Sequence, residues 1–204
     1  MAQPAGAAEG ENGPQLWLLV GGNGSGKSTF HRLFLEPLGV PFVNADNIAR
    51  LVYPQASEAH SYEAARLAEQ QREQLLMSGL SFCFETVYSH PSKVDFTARA
   101  KALGYTIVLV LIHLDDPMLN QARIAQRVAE GGHHVPPDKV ISRIPRTLMH
   151  VRASLPLCDD VVLIDNSSAE QPFLRVLSIQ QGRVTRHQQP LPAWAEAVIC
   201  EDES

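Results

Sequence analysis

Cysteine is scarce in this chain and poorly placed for a framework: Cys83, Cys158 and Cys200 are odd in number, far apart and form no Cys-x-x-Cys pair. That pattern argues against both a disulfide scaffold and a zinc cage, and a reducing cytoplasm is the compartment that fits. Positive charge is in deficit too. With 17 basic residues against 22 acidic ones the formal balance is −5, so no whole-chain field draws DNA, RNA or an anionic membrane surface. Polymeric nucleic acid is therefore a poor substrate class. No apolar run approaches the length of a membrane span, and no internal repeat is present. Residues 1–14 are rich in Ala, Gly and Glu without a basic n-region or an apolar core, and read as a disordered tail rather than a signal peptide. What remains is ordinary globular composition, 45% hydrophobic and 19% charged over 204 residues, which suits one well-buried domain.

The densest signal is Gly21-Gly22-Asn23-Gly24-Ser25-Gly26-Lys27-Ser28-Thr29, a full G-x-x-x-x-G-K-[ST] phosphate loop directly after the apolar run 16–20. Glycines let successive backbone N–H groups turn toward one point, and the following helix adds its positive N-terminus. Lys27 then reaches the β- and γ-phosphates, and the Ser28 hydroxyl is placed to hold Mg²⁺. ATP with Mg²⁺ is the ligand this implies.

Apolar runs at 16–20, 40–43, 80–84, 106–114 and 161–164 alternate with helical stretches at 27–35, 58–77, 92–103, 117–130 and 137–153. Such alternation predicts an α/β fold, a mainly parallel sheet between two layers of helices. Segments 174–179 and 183–187 around Gln180-Gln181-Gly182 predict a hairpin added at the edge of that sheet. The expected organisation is a nucleotide-binding domain over 15–190, with a helical lid at about 123–150, and a Pro-rich, acidic C-terminal tail over 191–204.

In open parallel sheets ligands gather beyond the carboxyl ends of the strands. Each apolar run here closes on polar groups: the phosphate loop, Asn44-Ala45-Asp46, Glu85-Thr86, His113-Leu114-Asp115-Asp116 and Asp165-Asn166. Asp46 reads equally well as a base taking a proton from an acceptor hydroxyl and as the N-cap of the next helix, with Mg²⁺ ligation a third reading. Asp115 and Asp116 compete for the metal, but their place before Pro117 suits a helix start. Glu85 is placed to accept from substrate hydroxyls or to hold a metal-bound water. Arg66, Glu69 and Glu73 share a helix face, and of these Glu69 is assigned toward substrate.

Between Arg123 and Arg152 lie six Lys/Arg residues with His133, His134 and His150 among them, against only Glu130 and Asp138. Arg123 and Arg127 fall on one helix; Arg143, Arg146 and His150 recur along the next, beyond a Gly131-Gly132 turn. Two arginine-bearing helices around such a turn suit a lid whose guanidiniums neutralise developing phosphate charge. The rival reading is an ordinary solvated hairpin. His133 and His134 lack partners at ligand spacing and make a weak metal site.

Taken in order, the phosphate loop, Phe42-Val43-Asn44-Ala45-Asp46-Asn47-Ile48-Ala49, Gly79-Leu80-Ser81-Phe82-Cys83-Phe84-Glu85-Thr86, Arg127-Val128-Ala129-Glu130-Gly131-Gly132-His133-His134-Val135-Pro136, Ile144-Pro145-Arg146 and Asp165-Asn166 resemble the zeta-toxin-like P-loop kinases. The likeness is to their branch of small bacterial ATPases and covers about residues 15 to 170. It implies transfer of the ATP γ-phosphate to a hydroxyl of a small molecule, which in the best-known zeta toxins is the amino-sugar part of UDP-N-acetylglucosamine. By the same likeness Asp46 matches the general base, Lys27 and Ser28 the phosphate and Mg²⁺ contacts, and Arg127 a lid arginine, while Glu69 and Glu85 fall at or near substrate-contacting positions. Arg123 joins the nucleotide set, and Thr86, Arg143 and Arg146 the acceptor set. A small helical antitoxin is the implied partner. The chain departs from the prototype toxins in carrying His133 or His134 where a second lid arginine stands, and Val87-Tyr88-Ser89-His90-Pro91 in place of several polar substrate-loop residues. Those departures leave other nucleotides or dinucleotides open as acceptors. They also keep alive an ATP-hydrolysing switch, or a binding module, with no small-molecule acceptor.

Overall fold

The structure, a computed structural model, describes residues 13–56, 58–130 and 135–199. Strand β1 (Gln15–Val20) sits centrally because both of its faces are apolar: Leu16, Leu18 and Val20 enter one core and Trp17 and Leu19 the other. Around it β2 (Phe42–Val43), β3 (Phe82–Thr86), β4 (Thr106–His113) and β5 (Asp160–Asp165) run parallel in the order β2-β3-β1-β4-β5. The expected hairpin extends the sheet beyond β5 as antiparallel β6 (Leu174–Gln180) and β7 (Arg183–Arg186). The resulting seven-stranded α/β sheet is covered on both faces, as continuous apolar strands require.

The larger core is closed by α3 (Ser61–Met77), α4 (Ser92–Ala102), α6 (Pro137–Ser154) and α7 (Ala193–Ile199), which contribute Ala68, Phe96, Val151 and Trp194. The opposite face packs on the segment after the phosphate loop. There α1 (Lys27–Phe30) runs on as a π-helical turn, His31–Leu35, that buries Leu35. Two helices stand at the strand ends, α2 (Ala45–Val52) and α5 (Pro117–Ala129), the latter meeting α6 through Ile124, Val135 and Val140.

Some expectations require correction. The segment 191–204 is not simply a tail: Trp194, Ala195 and Val198 on α7 are buried in the main core. The proline-rich approach ends in a helix entry, with Ala195 N–H donating to the Pro192 carbonyl. Residues 200–204 lie outside the described residues, as do 1–12 of the expected N-terminal tail. Strand β2 is shorter than the run 40–43, because the chain is still turning through Gly39 (φ 70°) before Phe42 and Val43 pair with β3. The expected lid is anchored in the body along its second half, where Thr147, His150, Val151 and Ser154 of α6 are buried. Its Gly131-Gly132-His133-His134 turn, with the weak metal reading, lies outside the described residues. No helix among the described residues is long and apolar enough to cross a membrane. Burial pushes the thiols of Cys83 and Cys158 up, the latter to about 12, so both behave as packing groups.

Candidate active site

The sheet order sets the site. Because β1 lies between β3 and β4, the phosphate loop emerges beside Glu85-Thr86 on one side, and Asn44 to Asp46 arrive from β2 just beyond. The loop is threaded close to its neighbours. At Gly24 (φ +77°) an added Cβ would stand 2.6 Å from the Asn120 carbonyl oxygen, and at Gly26 (φ +102°) 2.5 Å from the Asn166 amide nitrogen. Those two positions demand glycine for both angle and space. Asn120 donates to the Asn23 carbonyl at 2.8 Å and Asn166 to the Ser25 carbonyl at 2.8 Å, so two side-chain amides hold the loop open. Asn166 in turn accepts from Phe173 N–H, while its own carbonyl accepts from Arg123 at 2.8 Å.

Lys27 is buried and folds back on the loop, donating to the carbonyls of Gly21 and Gly22 at 2.9 Å each. Burial pulls its ammonium below the ordinary lysine value, with Arg127 acting the same way, while the charges of Glu85 and Asp46 oppose this. Glu85 is the hub: one carboxylate oxygen accepts from Ser28 Oγ at 2.9 Å and from the Asn44 amide at 2.8 Å, and the other lies 3.8 Å from Lys27 Nζ. Asn44, not Asp46, caps α2, accepting from Asn47 N–H at 2.8 Å. The capping alternative for Asp46 is thereby removed, and its carboxylate stands in the first turn.

Two cavities meet over this cluster. One, of about 450 Å³, runs from the loop past Ser28, Thr29, Arg123 and Arg127 to Pro172 and Phe173. The other, of about 470 Å³, lies between α2, α3, the β3–α4 loop and the start of α6, and is lined by Thr86, Tyr88, Lys93 and Arg143 among others. Asn23, Lys27, Asp46 and Glu85 belong to both. Each volume suits a small ligand.

A family model described as Zeta toxin matches residues 5–171. The chain belongs to the zeta toxin family. With that family it is a P-loop phosphotransferase acting on hydroxyl groups. Among its relatives is an uncharacterized protein of Haemophilus influenzae, 32% identical over 133 residues, which span 62% of this chain and 94% of that one. A chain of the AvrRxo1-ORF1:-ORF2 complex with ATP shares the fold at TM-score 0.69 and 19% identity, over 86% of this chain and 61% of that chain. So does a chain of the PezAT toxin-antitoxin system of Streptococcus pneumoniae, at TM-score 0.60 and 16% identity, over 82% and 72%. The chain thus spans about three fifths of the length of the AvrRxo1 protein it matches.

Within this zeta-family site not every expected residue converges. Glu69 points to solvent, its carboxylate 3.8 Å from Arg72; Arg66 is likewise exposed, and Glu73 pairs with Arg99 at 2.8 Å. Arg146 is exposed and bonds its own helix at the Ser142 carbonyl, whereas Arg143 reaches Asn23 Oδ1 at 3.4 Å. His150 does not continue an arginine face, since its ring nitrogen Nδ1 contacts the Tyr88 carbonyl at 3.0 Å in the core. Asp116 caps α5 and Asp115 lines neither cavity, which removes both as metal competitors. Asn120, Arg72, Lys93, Tyr62 and Thr147 were not singled out by sequence reasoning. Single polar residues on helices carry no local signal of what they face.

The donors at the phosphate end are oxygens: Ser28 Oγ bonded to Glu85, with Asp46 beside the same lysine. Among the described residues no cluster of three or more His, Cys, Asp or Glu gathers for a metal. One or two protein oxygens that leave room for phosphates and water fit Mg²⁺ rather than zinc.

Proposed function

We propose that this chain transfers the γ-phosphate of ATP to a hydroxyl of a sugar nucleotide or related nucleotide metabolite, with Asp46 as general base. The observation that carries the reading is the meeting of two ligand-sized cavities at Lys27, Asp46 and Glu85, one running along the phosphate loop and one away from it. A donor and an acceptor seated in them would bring γ-phosphorus and hydroxyl together at that border, and such positioning is most of what phosphoryl transfer asks of a protein.

In this mechanism the acceptor oxygen bonds to the γ-phosphorus as the bond from that phosphorus to the β,γ-bridging oxygen breaks, and ADP leaves. Asp46 takes the hydroxyl proton and releases it to solvent. Lys27 exchanges its two loop carbonyls for phosphate oxygens, a switch favoured because the buried ammonium gains full negative charges in place of dipoles. Arg127 and Arg123, on the wall of the donor cavity, neutralise charge on the transferring group and the polyphosphate. Ser28 and Glu85 would hold Mg²⁺, which would supply neutralisation of the polyphosphate charge. Glu85 also keeps Ser28 and Asn44 in place, so the loop and the base-bearing segment share one carboxylate. A UDP-N-acetylglucosamine-type acceptor suits the second cavity in size. The likeness to PezAT, described as a toxin-antitoxin system, motivates an antitoxin as the protein partner of this chain.

The test is incubation with Mg-ATP and a panel of sugar nucleotides, nucleotides and dinucleotides, reading mass gain of one phosphoryl group. Wild type is expected to phosphorylate at least one acceptor, and Asp46→Asn none at a comparable rate. If no acceptor gains phosphate while wild type still hydrolyses ATP faster than Asp46→Asn, the regulatory-switch reading takes its place.

A further inference from the structure

Arg72 on α3 is only 7% exposed, yet its guanidinium makes no hydrogen bond among the described residues. Its Nε is buried without a partner, and the carboxylate of Glu69 stands 3.8 Å away, beyond hydrogen-bond distance. Hiding that Nε–H from water without an acceptor is costly, and the two Nη groups find no hydrogen-bond acceptor among the described residues either. Two rings fix it in place: Cζ lies 4.9 Å from the centre of Phe84 and 5.4 Å from that of Phe96. Ring faces attract the charge but accept none of those hydrogens in the guanidinium plane.

A structural ion pair is the ordinary remedy, but here it is loose: exposed Glu69 pairs with Arg72 only at 3.8 Å, and the other nearby carboxylate is engaged elsewhere. Glu73, on the same helix, takes both hydrogen bonds from Arg99, at 3.0 and 2.8 Å. Nearby instead is a second cation. Half-buried Lys93 of α4 lines the same cavity as Arg72; burial pulls its ammonium below the ordinary value, Arg72 lowers it further, and Glu69 opposes. Lys139 and Arg143 join them on this wall from α6. The cavity carries Asp46 and Glu85 at its border with the phosphate loop but four cations besides, one with a buried donor unmet, and that excess suits an anion that arrives with the ligand.

We propose that Arg72 and Lys93 form an oxyanion subsite in the acceptor cavity, so that the molecule facing Asp46 carries a carboxylate or phosphoryl group besides its reacting hydroxyl. This rests on the reading of that cavity as the acceptor site. The guanidinium offers two parallel N–H groups to either oxyanion, and Lys93 adds a point charge. A neutral sugar or polyol offers these cations no charge beyond that of Glu69, so the subsite selects against it.

The subsite is tested by calorimetric titration of the full chain with malonate and, separately, with inorganic phosphate, while magnesium and a non-hydrolysable ATP analogue saturate the phosphate loop. At least one anion is expected to bind, and Arg72→Gln and Lys93→Met are each expected to weaken it about tenfold or more, the loss typical of a charged hydrogen bond. Affinity for the ATP analogue should stay within about twofold, because neither residue lines the donor cavity. Lys93→Met, at the less buried position, decides the matter if Arg72→Gln does not fold. Malonate alone responding identifies a carboxylate, phosphate alone a phosphoryl group. The subsite is overturned if neither anion binds wild type, or if a folded variant binds both as wild type does. Anion binding through these residues with no phosphoryl transfer to any acceptor would sink the kinase reading and leave the subsite standing.

Discussion

The cavity along the phosphate loop is built on backbone, the cavity beyond Lys27 on side chains. Around the phosphate loop the critical groups are main-chain N–H and C=O, with glycines where a Cβ has no room and the amides of Asn120 and Asn166 tied to loop carbonyls. Across Lys27 the walls are instead Arg72, Tyr88, Lys93 and Arg143, brought from three separate segments. A backbone cradle suits a ligand part that never varies, the polyphosphate. A side-chain wall suits a part that must be told apart from other small molecules. The β3–α4 loop shows how such a wall is held: Thr147 Oγ1 donates to the Val87 carbonyl at 2.7 Å, and the Tyr88 hydroxyl meets Ser154 at 2.8 Å and Thr97 at 2.9 Å. Helix α6 therefore touches both regions, through Arg143 at Asn23 and Thr147 at Val87.

The sharpest way to break this contrast is at its border. Lys27→Ala should lower kcat/KM by about 10³-fold or more, since it removes charge that serves both the bound phosphates and the transferring group, and ATP affinity should fall with it. Asp46→Asn should lower kcat by about 10²–10⁴-fold while the Kd for ATP, measured by titration, barely moves. Equal loss of ATP affinity in the two variants would make Asp46 a metal ligand and erase the division of labour.

Smaller effects test each region alone. Asn166→Ala frees the Ser25 carbonyl and Phe173 N–H, and at roughly 1–2 kcal/mol should raise KM for ATP about tenfold with KM for the acceptor unchanged. Thr147→Val loses one bond to the acceptor-side loop and, at about 1 kcal/mol, should raise acceptor KM about fivefold while leaving ATP untouched. Steady-state kinetics with both substrates varied read all four constants. If either variant moves the other substrate's KM as much as its own, the two cavities are one mechanical unit coupled through α6.

Legibility in the sequence followed the same division. The strand-end rule led to Asp46, Glu85 and Thr86, because a parallel sheet puts the residue after each apolar run on one edge. Helical spacing groups Arg66, Glu69 and Glu73 on one face yet does not say which face packs; the structure turns Glu69 to solvent and buries Arg72. Arg143 and Arg146 were likewise inseparable by spacing; only the packing of α6 sends one to the loop and the other to water. Helix α7 was hidden behind Pro190 and Pro192, although the run from Ala193 to Ile199 is a fair helix former.

By itself the sequence determined what depends on neighbours in the chain: a nine-residue loop of the phosphate-cradle type, and a rhythm of strands and helices that makes a mainly parallel sheet with that loop at a strand end. Tertiary structure decided what depends on neighbours in space. It chose which carboxylate holds Ser28, which arginine is buried with a donor unmet, and which helix ties the two cavities together. Cradle and rhythm are local and are written in spacing, whereas the acceptor wall is set by the packing of α2, α3, α4 and α6, to which no single segment holds the key.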